Sequence, residues 1–118
     1  MSARQVKIIA RFEVLDYSAF ATFVTAAAAY CKQHEPNTLV YDWHVDEEHR
    51  NGTLLEVYAD SEAFRQHVLG RVFTDIAPKY RKAIKWISME LFGDMPEEFA
   101  PVMKVVPYTH WPQPVAVV

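Results

Sequence analysis

Glycine, cysteine and long apolar runs are all scarce in this chain. Gly52, Gly70 and Gly93 are its three glycines, too few to build a glycine-rich phosphate loop. The single cysteine, Cys31, excludes an internal disulfide and fits a reducing cytoplasm. No apolar run approaches the ~20 residues that a membrane span needs. The start, Met1-Ser2-Ala3-Arg4-Gln5, leads into a segment broken by Lys7, Arg11 and Glu13, so no signal peptide is expected. Lysine and arginine are scattered and the net charge is −3, which leaves no clustered basic face for nucleic acid. The aromatic, glycine-rich strand motif of one RNA-binding class is absent as well.

What is present is an ordinary globular balance, 51% apolar and 23% charged, in 118 residues that suit one domain. Such a domain buries about two-thirds of its unfolded surface, enough for one core. Val6, Ile8, Ala10, Phe12 and Val14 alternate with Lys7, Ile9, Arg11 and Glu13, the period of a strand with one apolar face. Asp16 is a good helix N-cap, with Leu15 placed to staple onto Phe20. Phe20, Phe23, Val24, Ala27, Ala28 and Cys31 then form one helical stripe, which Pro36 stops. Leu39, Tyr41, Trp43 and Val45 alternate on a second strand. A charged loop ending at Asn51-Gly52 turns it into a third, Thr53 to Ala59. Asp60 or Ser61 caps a second helix that Gly70 can end. Val72, Phe73 and Ile76 suggest a short further turn before Pro78. Ile84 to Phe92 reads as a fourth strand.

The order β-α-β-β-α-β predicts an α+β, ferredoxin-like domain over residues 1–93: a four-stranded antiparallel sheet with helices on one face. Tyr41, Trp43 and Trp86 are expected to give the sheet bulk on both faces, and a second copy of the chain is the simplest cover. Residues 94–118 hold five of the seven prolines, which forbids a long helix. Yet Phe99, Val102, Met103, Val105, Val106, Tyr108 and Trp111 are too apolar for a disordered tail. An extended arm docked on the body or on the partner subunit is expected.

Two stretches carry a family resemblance. They are Glu35-Pro36-Asn37-Thr38-Leu39-Val40-Tyr41-Asp42-Trp43-His44, and Glu56-Val57-Tyr58-Ala59-Asp60-Ser61-Glu62-Ala63-Phe64 with His67. A Glu-Pro turn precedes an aromatic strand, a later strand ends in Glu, and Ala-Phe-x-x-His opens a helix. In this the segment from Glu35 to Phe73 resembles the antibiotic biosynthesis monooxygenase family. The resemblance implies a homodimeric α/β barrel of two sheets, each subunit holding a pocket between helices and sheet. It also implies oxygenation of quinol-like or polyketide aromatics without flavin, haem or metal. Haem-degrading relatives use an Asn, a Trp and a His where this chain has Arg11, His67 and Ala77, so that activity is not expected.

His67 falls three residues after Phe64, at the edge of a helical apolar face, where an imidazole can act as a base toward a phenol. The plain alternative is a partly exposed packing histidine. Glu56 sits between Leu55 and Val57, either as an orienting partner of His67, Arg11 or Tyr41, or as a structural ion pair. Tyr41, Trp43, Phe12 and Trp86 offer flat walls for an aromatic ligand, or are simply core. Arg11 would hold a phenolate oxygen if it points inward. His67 is therefore the candidate base, and Arg11, Tyr41, Trp43, Glu56, Phe64 and Trp86 are the candidate substrate-binding residues. His44, Asp46 and His49 make a weak metal set, with no second shell evident, and no metal or cofactor is expected. Cys31 reads as a small buried hydrophobe, and Ser18, Ser61 and Ser88 lie in no nucleophile elbow.

Three functions fit these residues: a cofactor-independent monooxygenase for a polyhydroxylated aromatic, a dimeric protein that binds a small apolar metabolite without chemistry, or a structural dimer with a filled core. A cytoplasmic location is expected, with neither membrane nor nucleic acid as partner.

Overall fold

The computed structural model describes residues 4–103 and 106–118. Met1 to Ala3, Val105 and the side chains of Val102 and Met103 lie outside the described residues. Strands β1 (Val6–Val14), β2 (Thr38–Val45), β3 (Asn51–Tyr58), β4 (Ile84–Phe92) and β5 (Tyr108–Trp111) form one sheet in the order β2-β3-β1-β4-β5. Helices α1 (Tyr17–His34) and α2 (Ser61–Leu69) supply the two crossovers, and a short α3 (Ala100–Met103) lies before β5. The first four strands pair antiparallel, as expected of a ferredoxin-like chain. β5 pairs parallel to β4 and adds a fifth strand to the four antiparallel ones expected, which makes the sheet mixed.

Both helices begin where their caps predict. Asp16 accepts from the Ala19 N–H at 3.1 Å, and Asp60 from the Ala63 N–H at 2.8 Å. Leu15 stays mostly exposed, while Phe20 packs among Phe12, Tyr17 and Trp43. After Gly70 the chain makes a π turn, Val72–Ile76, then a 3-10 turn, Ala77–Tyr80. Pro78 has no N–H to offer the preceding turn, so regular helix cannot continue through it.

The core lies between the helices and one sheet face. Val6, Ile8, Ala10 and Phe12 are buried there, while Lys7, Arg11 and Glu13 are exposed on the other face. Two irregularities interrupt the period-two alternation of the strands. A register shift between Thr38 and Val40 leaves Leu39 exposed, away from Tyr41 and Trp43. Another, opposite Arg11 and Phe12, makes Ile87 the extra residue of β4, so Ile84 and Trp86 share the core face with Met89 and Leu91. Tyr41, Trp43 and Trp86 all pack on the helix side, contrary to the expected two-sided bulk. The second face instead exposes aliphatic side chains, Leu55 and Ile87 among them.

The β2–β3 turn also differs from its expected place. Asp46 accepts from the Arg50 and Asn51 N–H groups, and His49 takes a positive φ of 56° while stacking on Tyr17 at 4.0 Å. Asn51-Gly52 is therefore strand, not turn. Gly52 faces Phe12, and a Cβ there would run into the Phe12 ring and the His44 carbonyl oxygen. Among the described residues no helix is long and apolar enough to cross a membrane.

Candidate active site

Between α1, α2, the π turn and the sheet is a cavity of about 380 Å³, inside the range of about 300–1,000 Å³ typical of small-molecule sites. Tyr41, Trp43, Glu56, Phe64, His67 and Trp86 all line it. The structure thus brings these six together and leaves out two other candidates, Phe12 and Arg11. Phe12, offered as a flat wall, is packed in the core behind Trp43 and Trp86. Arg11 is exposed on the opposite sheet face, beside His44 and Asp46, and does not reach the cavity. Its strand parity with Lys7 and Glu13 already placed it there.

The polar part of the cavity is built around His67, which is 1% exposed. On α2 it shares a buried stripe with Ala63, Phe64 and Val68, the helical spacing that turns it inward. Its Nδ1 lies 2.8 Å from Glu35 Oε1. Glu35 is the residue on which α1 ends, one turn beyond Cys31, and its N–H closes on the Cys31 carbonyl. Thr38 Oγ1 donates to the same carboxylate oxygen at 2.8 Å. Burial pushes the Glu35 carboxyl up, but the hydrogen bond and charge of His67, with Thr38 and Cys31 adding to them, outweigh it and hold Glu35 below the usual carboxylate range. An ionised carboxylate can only accept, so Nδ1 carries a hydrogen, and Nε2 is the nitrogen left bare whenever the ring is neutral.

Nε2 faces Glu56, whose Oε1 is 3.7 Å away. Glu56 is 7% exposed and shares its strand face with Leu54 and Tyr58, two residues to either side. The Tyr58 hydroxyl donates to Glu56 Oε1. Burial pushes the Glu56 carboxyl up and the Glu35 charge adds to this, against the pull of His67 and Tyr58. Burial also keeps the Tyr41 and Tyr58 hydroxyls well above their ordinary value. The Cys31 thiol, 3.8 Å from Nδ1, is held protonated by burial and the Glu35 charge.

Cys31, Glu35 and His67 bring three ligand-type atoms within 4.8 Å of one another. The 2.8 Å between Nδ1 and Oε1 is a hydrogen bond, shorter than the gap between two donors that each sit about 2.0–2.3 Å from one tetrahedral ion. With the thiol protonated, the trio fits a hydrogen-bonded network rather than a metal centre.

Glu35, Tyr58 and Arg81 are the site residues that sequence reasoning missed. Glu35 was legible only as part of a Glu-Pro turn, and Tyr58 only as an aromatic after a glutamate. Arg81, which reaches the cavity rim, carried no signal.

No protein-family profile and no curated protein matches the sequence. Solved structures do match the fold. MupZ from Pseudomonas fluorescens superposes with a TM-score of 0.73 at 18% identity, over 99% of this chain and 91% of its own. SnoaB, a cofactor-independent oxygenase from Streptomyces nogalater, matches with a TM-score of 0.66 at 20% identity, over 80% of this chain and 96% of its own. A Caulobacter crescentus protein assigned to the antibiotic biosynthesis monooxygenases matches with a TM-score of 0.56 at 24% identity, over 70% and 86%. The chain thus has the antibiotic biosynthesis monooxygenase fold that its Glu35 to Phe73 stretch resembles.

Proposed function

We propose that this chain is a cofactor-independent monooxygenase for a quinol-like or polyhydroxylated aromatic, with His67 as its base. The observation that carries the reading is a buried imidazole in an apolar cavity, its Nδ1 tied to Glu35 and its Nε2 free to take a proton. Nε2 accepts the phenolic proton, which leaves an electron-rich anion. That anion passes one electron to molecular oxygen. The substrate radical and superoxide then combine at a ring carbon to give a peroxide, which loses water to leave a quinone. Trp43, Trp86 and Tyr41 supply flat walls that orient the ring, and the apolar surround shields the radical pair from water. The fold shared with SnoaB supports the same reading.

The working unit is a homodimer, supported by the aliphatic side chains exposed on the second sheet face. Residues 1–93 are its catalytic body, and residues 94–118 an arm docked on that body through the β5 pairing. The test is oxygen uptake by metal-stripped, flavin-free protein on a panel of hydroquinones, with His67→Ala alongside. Uptake above the spontaneous rate, lowered about 10²–10⁴-fold in the variant, supports the reading. Saturable ligand binding without uptake supports a non-catalytic binding protein instead.

A further inference from the structure

Two carboxyl groups flank one imidazole in this cavity, and phenol deprotonation uses only one of them. Glu35 holds Nδ1. Glu56 stands on the opposite side of the ring, buried in the cavity wall, and no lysine or arginine among the described residues pairs with it. A buried carboxyl without a cation carries a cost that a purely structural wall would avoid. The Tyr58 hydroxyl donates to Glu56, and His67 Nε2 faces it from across the cavity wall.

We propose that the cavity also catalyses oxygen-independent enolisation of apolar cyclic ketones, His67 Nε2 taking a proton from the carbon beside the carbonyl and the Glu56 carboxyl giving one to the carbonyl oxygen. The geometry suits this pair of transfers. A carbonyl oxygen and its neighbouring α-carbon lie about 2.4 Å apart by standard bond lengths. Nε2 and Glu56 Oε1 are 3.7 Å apart, too far to bond each other, and each can stand at a hydrogen-bond length of about 2.6–3.2 Å from one end of that unit. The surroundings push the two carboxyls in opposite directions, Glu56 up by burial, which suits a proton donor, and Glu35 down through its bonds to His67, which suits the acceptor that positions the base.

In the forward step the α-C–H bond breaks and its proton goes to Nε2. The electron pair forms the C=C bond, the C=O π pair moves to oxygen, and oxygen takes the Glu56 proton. In the return step the enol O–H proton goes back to Glu56 and Nε2–H returns a proton to carbon. No oxidant or reductant enters. The Tyr58 hydroxyl positions the Glu56 carboxyl, and Glu35 positions the imidazole. Trp43, Trp86, Phe64 and Leu54 make the walls apolar, which selects a ring ketone over a polar one. This inference shares His67 with the proposed oxygenase but does not rest on its oxygen step.

The experiment is anaerobic exchange in D2O, followed by loss of the α-proton NMR signals of 2-tetralone, 1-indanone and cyclohexanone. Ketone binding is read in parallel from quenching of tryptophan fluorescence. Exchange of a bound ketone is expected to exceed the buffer rate by about 10²-fold or more. Glu56→Gln, nearly the same shape, should lower exchange by about tenfold or more with Kd unchanged, and should lose the fall at high pH that ionisation of Glu56 gives the parent. Glu35→Gln should lower the exchange rate and leave the ketone Kd unchanged, as a positioning residue does. Exchange no faster than buffer for every ketone that binds, no saturable ketone binding at all, or parental exchange in Glu56→Gln would each overturn the proposal. Exchange under argon with no oxygen uptake on hydroquinones overturns the oxygenase reading alone, and the reverse result overturns this one alone.

Discussion

The carboxylate of Glu35 and the imidazole of His67 meet at 2.8 Å, although 32 positions separate them in the chain. One lies where α1 ends and the other in the last turn of α2. Their contact ties the two crossovers together beneath the cavity. Glu35→Ala should therefore act on stability as well as on chemistry. It leaves His67 Nδ1–H and Thr38 Oγ1 without their acceptor in a buried place, a loss of about 1–3 kcal/mol. Urea unfolding should show a lower midpoint with an unchanged slope. A midpoint equal to that of the parent would mean that the contact adds nothing to the folded state.

The two glutamates impose opposite pH dependences. Glu35 is depressed in the folded state, so its contribution is present above the ordinary glutamate value, about 4.3, and is lost as pH falls through the depressed one. Glu56 is raised, so the folded state binds its proton more tightly than the unfolded chain does. That contribution is full below about 4.3 and is lost as pH rises through the raised value. Glu56→Gln removes the second dependence and keeps the first. Stability of the parent relative to Glu56→Gln should fall as pH rises above about 4.3, measured by urea melts across a pH series. A difference that is flat with pH would place the Glu56 carboxyl near its ordinary value.

Legibility in the sequence followed the range of the interactions. The period-two run of β1 and the caps Asp16 and Asp60 depend on neighbours a few residues away, and they fall where expected. His67 was legible in part, because helical spacing sets it beside Phe64 and Val68 at the edge of the apolar face and the Ala-Phe-x-x-His resemblance pointed to it, while its full burial was not legible. Glu35 was not, because its role comes from a contact between distant segments. Leu39 was misplaced for a related reason, since a bulge is set by the partner strand's register rather than by a strand's own residues. β5 escaped notice because four residues bounded by prolines show too little period, and only pairing with β4 makes them a strand.

Gly52 offers a test of how tightly the sheet packs over Phe12. The Phe12 ring, which is buried, also touches Phe20, Trp43 and Trp86 and so cannot swing aside freely. A methyl group at Gly52 would meet that ring and the His44 carbonyl oxygen together. Gly52→Ala should destabilise the fold by about 1–3 kcal/mol, the usual range for overpacking. It should also disturb the fluorescence of Trp43 and Trp86, which share the ring cluster. Thermal unfolding and emission spectra check both effects, and an unchanged Tm would mean that β3 can shift to make room.

The second sheet face gives the last prediction. Leu55 lies on β3 and Ile87 on β4, and both side chains are exposed there. β1 runs between these two strands and sets Ile9 beside Leu55 and the charged Arg11 beside Ile87. A face that mixes exposed aliphatic side chains with charges of both signs suits a copy of the same chain, because a two-fold axis can set each apolar side chain on its twin and each cation near an anion. If that face is the dimer contact, Leu55→Glu would place two like charges in a desolvated centre, a change expected to cost several kcal/mol of association. Light scattering coupled to size-exclusion chromatography should show the parent as a dimer and Leu55→Glu as a folded monomer. Circular dichroism should be unchanged, because Leu55 contributes nothing to the helix-side core. A parent chain that elutes as a monomer at every concentration would remove the homodimer from the proposed function. The cavity, built within one subunit, would then have to work alone.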